Sequence, residues 1–337
     1  MTRKTLAAVL ALLMTLALLL TACSGSGGGT ASPSPATSTA AATPEATPAA
    51  TPEAAAPADG AGTAAIEVTD QTGKLVTLSA PAAKVIALTP AMNEIINALG
   101  SFDIIVGRGE YCDYPAAILN IPSVGSGDNT NIEQIIALNP DLVVMATMAQ
   151  TTEQAAQLEA AGIAVYSSDA ASVAETYDSI EQIGALIGKT AEAEALIASM
   201  KATFAELSQN KLSGSIYFEI SPLEWGLWTA GTGSFMNEIA DIIGLTNVFA
   251  DVGAWAEVSE EQVIERNPDY IMSITMYYGE GPTPVEEILS RAAWADITAV
   301  KNAAILNLPD NELSRPGPRL VDGAKALYDF VKNAQAS

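Results

Sequence analysis

The sequence contains no histidine and only two cysteines, Cys23 and Cys112. Without histidine there is no Ser-His or Cys-His nucleophile pair, no zinc site built on imidazole and no His-ligated haem. Basic residues are scarce as well: 15 Lys and Arg against 39 Asp and Glu, a formal net charge of −24. Nucleic acids and anionic lipid surfaces are both recognised through Lys and Arg, so neither is expected as a partner. A strongly anionic free ligand is disfavoured too, unless a local arginine cluster overrides the field. Between Ser24 and Ala64 there is no aromatic residue and no Leu, Ile, Val or Met. Such a stretch cannot bury enough apolar surface to offset the entropy of ordering. Its Ser/Gly start and its Thr-Pro-Glu-Ala-like repeats read as a tether with a reach of roughly 35 Å.

Before the tether, Arg3 and Lys4 precede an apolar run from Leu6 to Leu20. That is the pattern of an export signal, and the run is short for a membrane span. Leu20-Thr21-Ala22-Cys23 resembles the lipobox of bacterial lipoproteins. The resemblance implies a signal peptide over residues 1–22, a lipid on Cys23, a tether over 23–64 and a place on the outer face of the cytoplasmic membrane. Loss of Arg3 and Lys4 would take the net charge from −24 to −26. Cys112 would then be the sole thiol, which excludes an intramolecular disulfide; it reads as a small buried residue.

What the folded part does contain is a phrase stated twice. Glu133-Gln134-Ile135-Ile136-Ala137-Leu138-Asn139-Pro140-Asp141-Leu142-Val143 returns as Glu261-Gln262-Val263-Ile264-Glu265-Arg266-Asn267-Pro268-Asp269-Tyr270-Ile271. Met92-Asn93-Glu94-Ile95 returns as Met236-Asn237-Glu238-Ile239, in the same order along the chain. A period this long means duplicated lobes, not a solenoid of short repeats. Asn131 and Ser259 are good N-caps, and the glutamines three positions later predict capping boxes. Asn-Pro then stops a short helix ahead of a buried strand. Glu133 and Glu261 fall in the first helical turn, where a carboxylate is favoured by the helix dipole; docking to a partner is the alternative role.

The remaining chain predicts strands alternating with helices, hence parallel sheets covered on both faces. A hairpin is expected over Ile66–Leu78, turning at Gln71-Thr72-Gly73. Strands follow at 84–88, 104–106, 142–145 and 163–166, with helices near 91–99 and 152–161. The first lobe is set at 65–189 and a connecting helix at 190–212, whose apolar stripe is Leu196, Met200, Phe204 and Leu207. Its last piece, near 191–209, would be about 28 Å long, and a single strut of that kind implies a modest closing motion. The second lobe is set at 213–337, with strands at 215–220, 270–272 and 304–308, helices near 236–243, 285–293 and 320–333, and a single loop from Ser221 to Ser234.

In open α/β sheets ligands bind off the carboxyl ends of the strands. The expected loops there carry Tyr111, Tyr114, Trp225, Trp228, Trp255, Tyr277 and Tyr278, with Arg108 and Arg315 in or beside them. Rings with an occasional arginine suit a large, flat, partly apolar molecule with a polar rim. Trp294 is assigned to the core. Gly231-Thr232-Gly233-Ser234 lacks both the third glycine of a dinucleotide fingerprint and the lysine of a P-loop, so no nucleotide is expected.

Tyr111-Cys112-Asp113-Tyr114-Pro115, the phrase from Asn131 to Asp141 and Ser314-Arg315-Pro316-Gly317-Pro318-Arg319 together resemble the ABC-transporter substrate-binding proteins for cobalamin and ferric siderophores. The likeness runs from about Lys84 to Asn333, a binding domain of about 84–337. It implies two Rossmann-like lobes joined by a single long helix, with a ligand cleft between them. It assigns Glu133 and Glu261 to docking on an ABC permease dimer, and Tyr111, Trp228, Trp255 and Arg315 to ligand contact. Trp225 and Tyr277 are added from the loop argument. Two aromatics of the cobalamin branch are replaced here by Gly127 and Ala146, so a corrinoid, a ferric siderophore and haem all stay open as ligands. The expectation is a monomeric binding protein without intrinsic cofactor, metal site, catalysis or nucleic-acid partner. A ligand-sensing co-receptor and an exported carboxylate enzyme are the rival readings.

Overall fold

The computed structural model describes residues 65–277, 279–308 and 312–336. The export signal, Cys23, the tether and Tyr278 lie outside the described residues. The chain opens with an antiparallel hairpin, β1 (Ile66–Thr69) and β2 (Leu75–Leu78), in which Ile66 faces Leu78. One oxygen of Asp70 accepts from the backbone N–H groups of Thr72 and Lys74 and fixes the turn. The other accepts from Ser167 N–H at 3.1 Å and ties the hairpin to the first lobe.

The first lobe runs β3 (Val85–Ala87), α1 (Pro90–Ala98), β4 (Ile105–Arg108), α2 (Ile132–Leu138), β5 (Leu142–Ala146), α3 (Thr152–Ala160) and β6 (Ala164–Ser168). Its strands pair in parallel in the order β4-β3-β5-β6. Two helices follow, α4 (Val173–Leu186) and α5 (Thr190–Gln209). The second lobe runs β7 (Ser215–Glu219), β8 (Leu227–Ala230), α6 (Phe235–Ile243), β9 (Thr246–Asn247), β10 (Trp255–Val258), α7 (Glu260–Arg266), β11 (Tyr270–Ser273), α8 (Pro284–Ser290), α9 (Thr298–Lys301), β12 (Ile305–Asn307) and α10 (Leu320–Ala336). Its parallel sheet has the order β9-β7-β11-β12. In both lobes, then, the spatial order is second, first, third, fourth strand, so the repeated phrases sit on a repeated topology.

The strands are apolar on both faces, as helix-covered parallel sheets require. Along β5, Leu142 and Val144 enter one core and Val143 and Met145 the other, the period-two alternation of a pleated strand. In the second lobe Ile216 and Phe218 of β7 face one core while Tyr217 faces the other, beside the fully buried Trp294.

The repeated phrase has a local cause in each half. Asn139 and Asn267 adopt the left-handed conformation, with φ of 50° and 44°, which asparagine tolerates at a helix end. Asp141 then accepts from Ala83 and Lys84 N–H, and Asp269 from Ser215 N–H, all at 2.8 Å. Each aspartate thereby caps the first strand of its own lobe. Ser259 and Gln262 form the expected capping box. In the other copy Asn131 caps Gln134 N–H, but the Gln134 side chain donates to the Ser123 carbonyl and does not close a box.

Two expectations are corrected here. Ile104 ends a 3-10 turn, Phe102–Ile104, so β4 starts one residue later. The stretch Ser221–Ser234 is not one loop: it contains β8, which pairs antiparallel with β10, placing Glu257 opposite Trp228.

The long helix α5 belongs to both lobes. Ala193 and Met200 are buried in the core of the first, Phe204 and Leu207 in that of the second. At 1.5 Å per residue its 20 residues span about 30 Å. Val173, at the start of α4, is buried in the second lobe's core, and Tyr177 and Val321 pack against both cores.

Candidate functional site

The carboxyl ends of both sheets contribute to one hollow of about 370 Å³. From the first lobe come Met148, beyond β5, and Ala170, beyond β6. From the second come Ile220 and Ser221 beyond β7, Ile274 beyond β11, and Ser314 and Pro316 beyond β12. Trp228 and Thr229 of β8, Trp255 of β10, and Phe235 and Met236 at the start of α6 complete the wall. The antiparallel ribbon is what brings the two tryptophans there. Trp255 stands edge-on to Phe235, with ring centroids 5.7 Å apart, so its position is fixed by packing. A larger hollow, about 670 Å³ and lined by Asp269, Tyr270, Asn302 and Phe330 among others, lies at the amino ends of β11 and β12, the opposite end of that sheet.

Of the residues singled out in the sequence, Trp228 and Trp255 line the inter-lobe hollow. Tyr111, Trp225 and Tyr277 do not; they stand exposed on the loops beyond β4, β7 and β11, at the same sheet ends. Arg315 is next to the lining residues Ser314 and Pro316, yet its guanidinium reaches the first lobe: 2.8 Å to Glu94 and 2.6 Å to Asp113. Arg319 donates to Glu312 at 2.8 Å and lies over the Tyr114 ring. Arg108 donates to the carbonyls of Ile121, Gly109 and Glu110 and so holds the Gly109–Ser126 loop. Sequence reasoning missed Met148, Ile220, Phe235, Met236 and Ile274. The only signal for them was their position just beyond strand ends or at a helix start.

The second repeated phrase joins the lobes. Glu94, buried on α1, pairs with Arg315 of the second lobe. Its counterpart Glu238, on α6, accepts from Val173 N–H of the first lobe at 2.7 Å. Burial pushes the Glu94 carboxyl above the ordinary glutamate range, against the pull of Arg315.

Cys112 is fully buried, with its sulfur 3.7 Å from the Ala87 carbonyl, and burial pushes its thiol up to about 12. At about pH 8 that leaves roughly one thiol in ten thousand ionised. In the folded chain Cys112 is expected to resist iodoacetamide and to react once urea unfolds the protein, followed by mass spectrometry of its peptide. Labelling of the folded chain at the unfolded rate would place this thiol at the surface. Among the described residues no cluster of three or more His, Cys, Asp or Glu side chains could hold a metal ion.

Known proteins share this architecture. The family described as periplasmic binding protein matches residues 85–312. An uncharacterized ABC transporter substrate-binding lipoprotein of Bacillus subtilis, YvrC, is 31% identical over 275 residues, covering 79% of this chain and 85% of its own. The crystal structure of the periplasmic vitamin B12 binding protein of Vibrio cholerae superposes with a TM-score of 0.63 at 26% identity, covering 76% of this chain and 99% of its own. A structure from the ABC-type Fe3+-hydroxamate transport system of Saccharomonospora viridis gives 0.65 at 28% identity, with coverages of 78% and 98%.

Proposed function

This chain belongs to the periplasmic binding protein family, and from that premise we propose that it is the extracytoplasmic substrate-binding component of an ABC importer for a metal chelate, a corrinoid or a ferric siderophore. The observation that carries the reading is the apolar hollow between the lobes, walled by Trp228 and Trp255 at the carboxyl ends of two matching parallel sheets. Aromatic and aliphatic walls with few polar groups suit the organic periphery of a large chelate. The protein supplies no chemistry: the metal arrives inside its ligand and leaves with it. The Leu20-Thr21-Ala22-Cys23 lipobox and the tether keep the lobes at the membrane, where the effective concentration at a permease is high.

Calorimetric titration of the full-length chain with cyanocobalamin and with ferric desferrioxamine B tests the reading. One of the two is expected to bind. Trp228→Ala combined with Trp255→Ala should then weaken that binding by about tenfold or more, because each ring contributes packing beyond its buried area. Unchanged affinity in the double variant would mean that neither ring touches the ligand. Saturable binding in a strain whose uptake does not depend on the protein would favour a ligand-sensing co-receptor.

A further inference from the structure

We infer that the cleft selects for the charge of its cargo and takes chelates with no net negative charge, cationic complexes above all. The inference rests on the chelate-binding reading and narrows it. None of the residues lining the hollow is Lys or Arg. The arginines in or beside the loops at these strand ends are already engaged inside the protein. Arg108 is held by backbone carbonyls, Arg315 by Glu94 and Asp113, and Arg319 by Glu312. For Arg315 to turn to an anionic ligand it would have to leave Glu94, whose side chain is 2% exposed. That would leave the buried Glu94 carboxylate with only the longer contact to Arg319, at 3.7 Å, an unfavourable exchange.

The loops at the same strand ends carry charge of the opposite sign. Glu110 and Asp128 stand exposed beyond β4, Asp169 beyond β6, Glu224 beyond β7 and Glu280 beyond β11. None of these five takes part in an ion pair among the described residues. The exposed rings beside them, Tyr111, Trp225, Trp228 and Tyr277, present faces that attract cations. With a net charge of −24 behind them, the sum is a negative field over an apolar seat.

The test holds the ligand scaffold constant and varies only its charge. Ferric desferrioxamine B is prepared with its terminal amine free, acetylated or succinylated, giving cationic, uncharged and anionic complexes. Cyanocobalamin is compared with its monocarboxylate derivative in parallel. The full-length chain in detergent is titrated with each. In whichever series binds, the anionic member is expected to be weaker than its uncharged parent by about fivefold at low salt, and the gap should close as salt screens the carboxylates. Asp169→Asn with Glu224→Gln should narrow the same gap. An anionic member that binds as tightly as its parent overturns the charge selection and leaves the chelate reading standing. Binding of neither series overturns the chelate reading itself.

Discussion

With Glu133 and Glu261 both changed to alanine, ligand affinity is expected to stay within about twofold of the parent while import falls to the level of cells lacking the protein. The expectation comes from comparing the conserved parts of the repeated phrase within this one chain. Asn139 and Asn267 form left-handed helix ends, Asp141 and Asp269 cap strands, and Gln134 and Gln262 bond at the helix starts. Each of those polar repeats is accounted for by folding. The glutamates differ: both side chains are exposed, and neither makes an ion pair among the described residues. The backbone N–H of Glu261 and the Ser259 hydroxyl hold that carboxyl below the usual glutamate range, so it is charged at any physiological pH. Under the importer reading proposed above, two carboxylates at equivalent points of duplicated lobes would meet two equivalent permease subunits. Close charge pairs across an interface have coupling energies of about 1.5–7 kcal/mol. Loss of two would weaken docking by roughly a hundredfold or more, since about 1.4 kcal/mol is a factor of ten. Uptake assays beside calorimetry separate the roles. Normal uptake in the double variant, or lost affinity, would return both glutamates to the helix dipole alone.

The duplication and the strand-helix alternation were legible because they rest on local physics. Runs such as Leu142–Met145 are buried on both faces, and Asn-Pro and the N-caps punctuate the helices where they stand. The helix α5 was legible for the same reason: its stripe of Met200, Phe204 and Leu207 is periodic. The cleft wall was not. Met148, Ile220 and Ile274 are single apolar residues just beyond three different strands, and no window of sequence puts them together. The β8–β10 ribbon pairs segments separated by a whole helix and a further strand, so its register is a tertiary fact. Arg315 shows the same limit from the other side. Its loop position identifies a cation near the cleft, but only folding brings Glu94 and Asp113, more than two hundred positions earlier, within reach. The duplicated Glu94 and Glu238 both turn out to bridge the lobes, one through a guanidinium and one through a helix N-terminus. Val173 is buried across the divide as well.

A second large effect is expected at Arg291, which lies outside the repeated phrases in sequence. Its guanidinium donates to both oxygens of Glu219 at 2.7 and 2.9 Å, reaches Glu287, and lies 4.3 Å from the Trp294 ring centroid. Both partners of the main pair are almost fully buried, at 3% and 1% exposure. Arg291→Met leaves Glu219 in the core without its counter-charge, at a cost of about 3–5 kcal/mol. For a chain of this size that corresponds to a fall in Tm on the order of 10 °C. Adding Glu219→Met should recover most of the loss, because a packed apolar pair is often no worse than a buried ionic one. The sign with pH follows from burial, which already pushes Glu219 above the ordinary range and would do so more strongly without Arg291. A carboxyl whose folded pKa exceeds its unfolded pKa contributes stability below the unfolded pKa and loses it as pH rises through the folded value. The Arg291→Met deficit should therefore be smaller in acid and grow toward neutrality, whereas the double variant should lack that dependence. Ligand affinity should fall along with stability in the single variant, since Glu219 ends the strand that delivers Ile220 and Ser221 to the cleft. Denaturant melts at two pH values decide the matter: a single variant as stable as the parent at both would mean that this buried pair is not what anchors the β7 edge of the cleft.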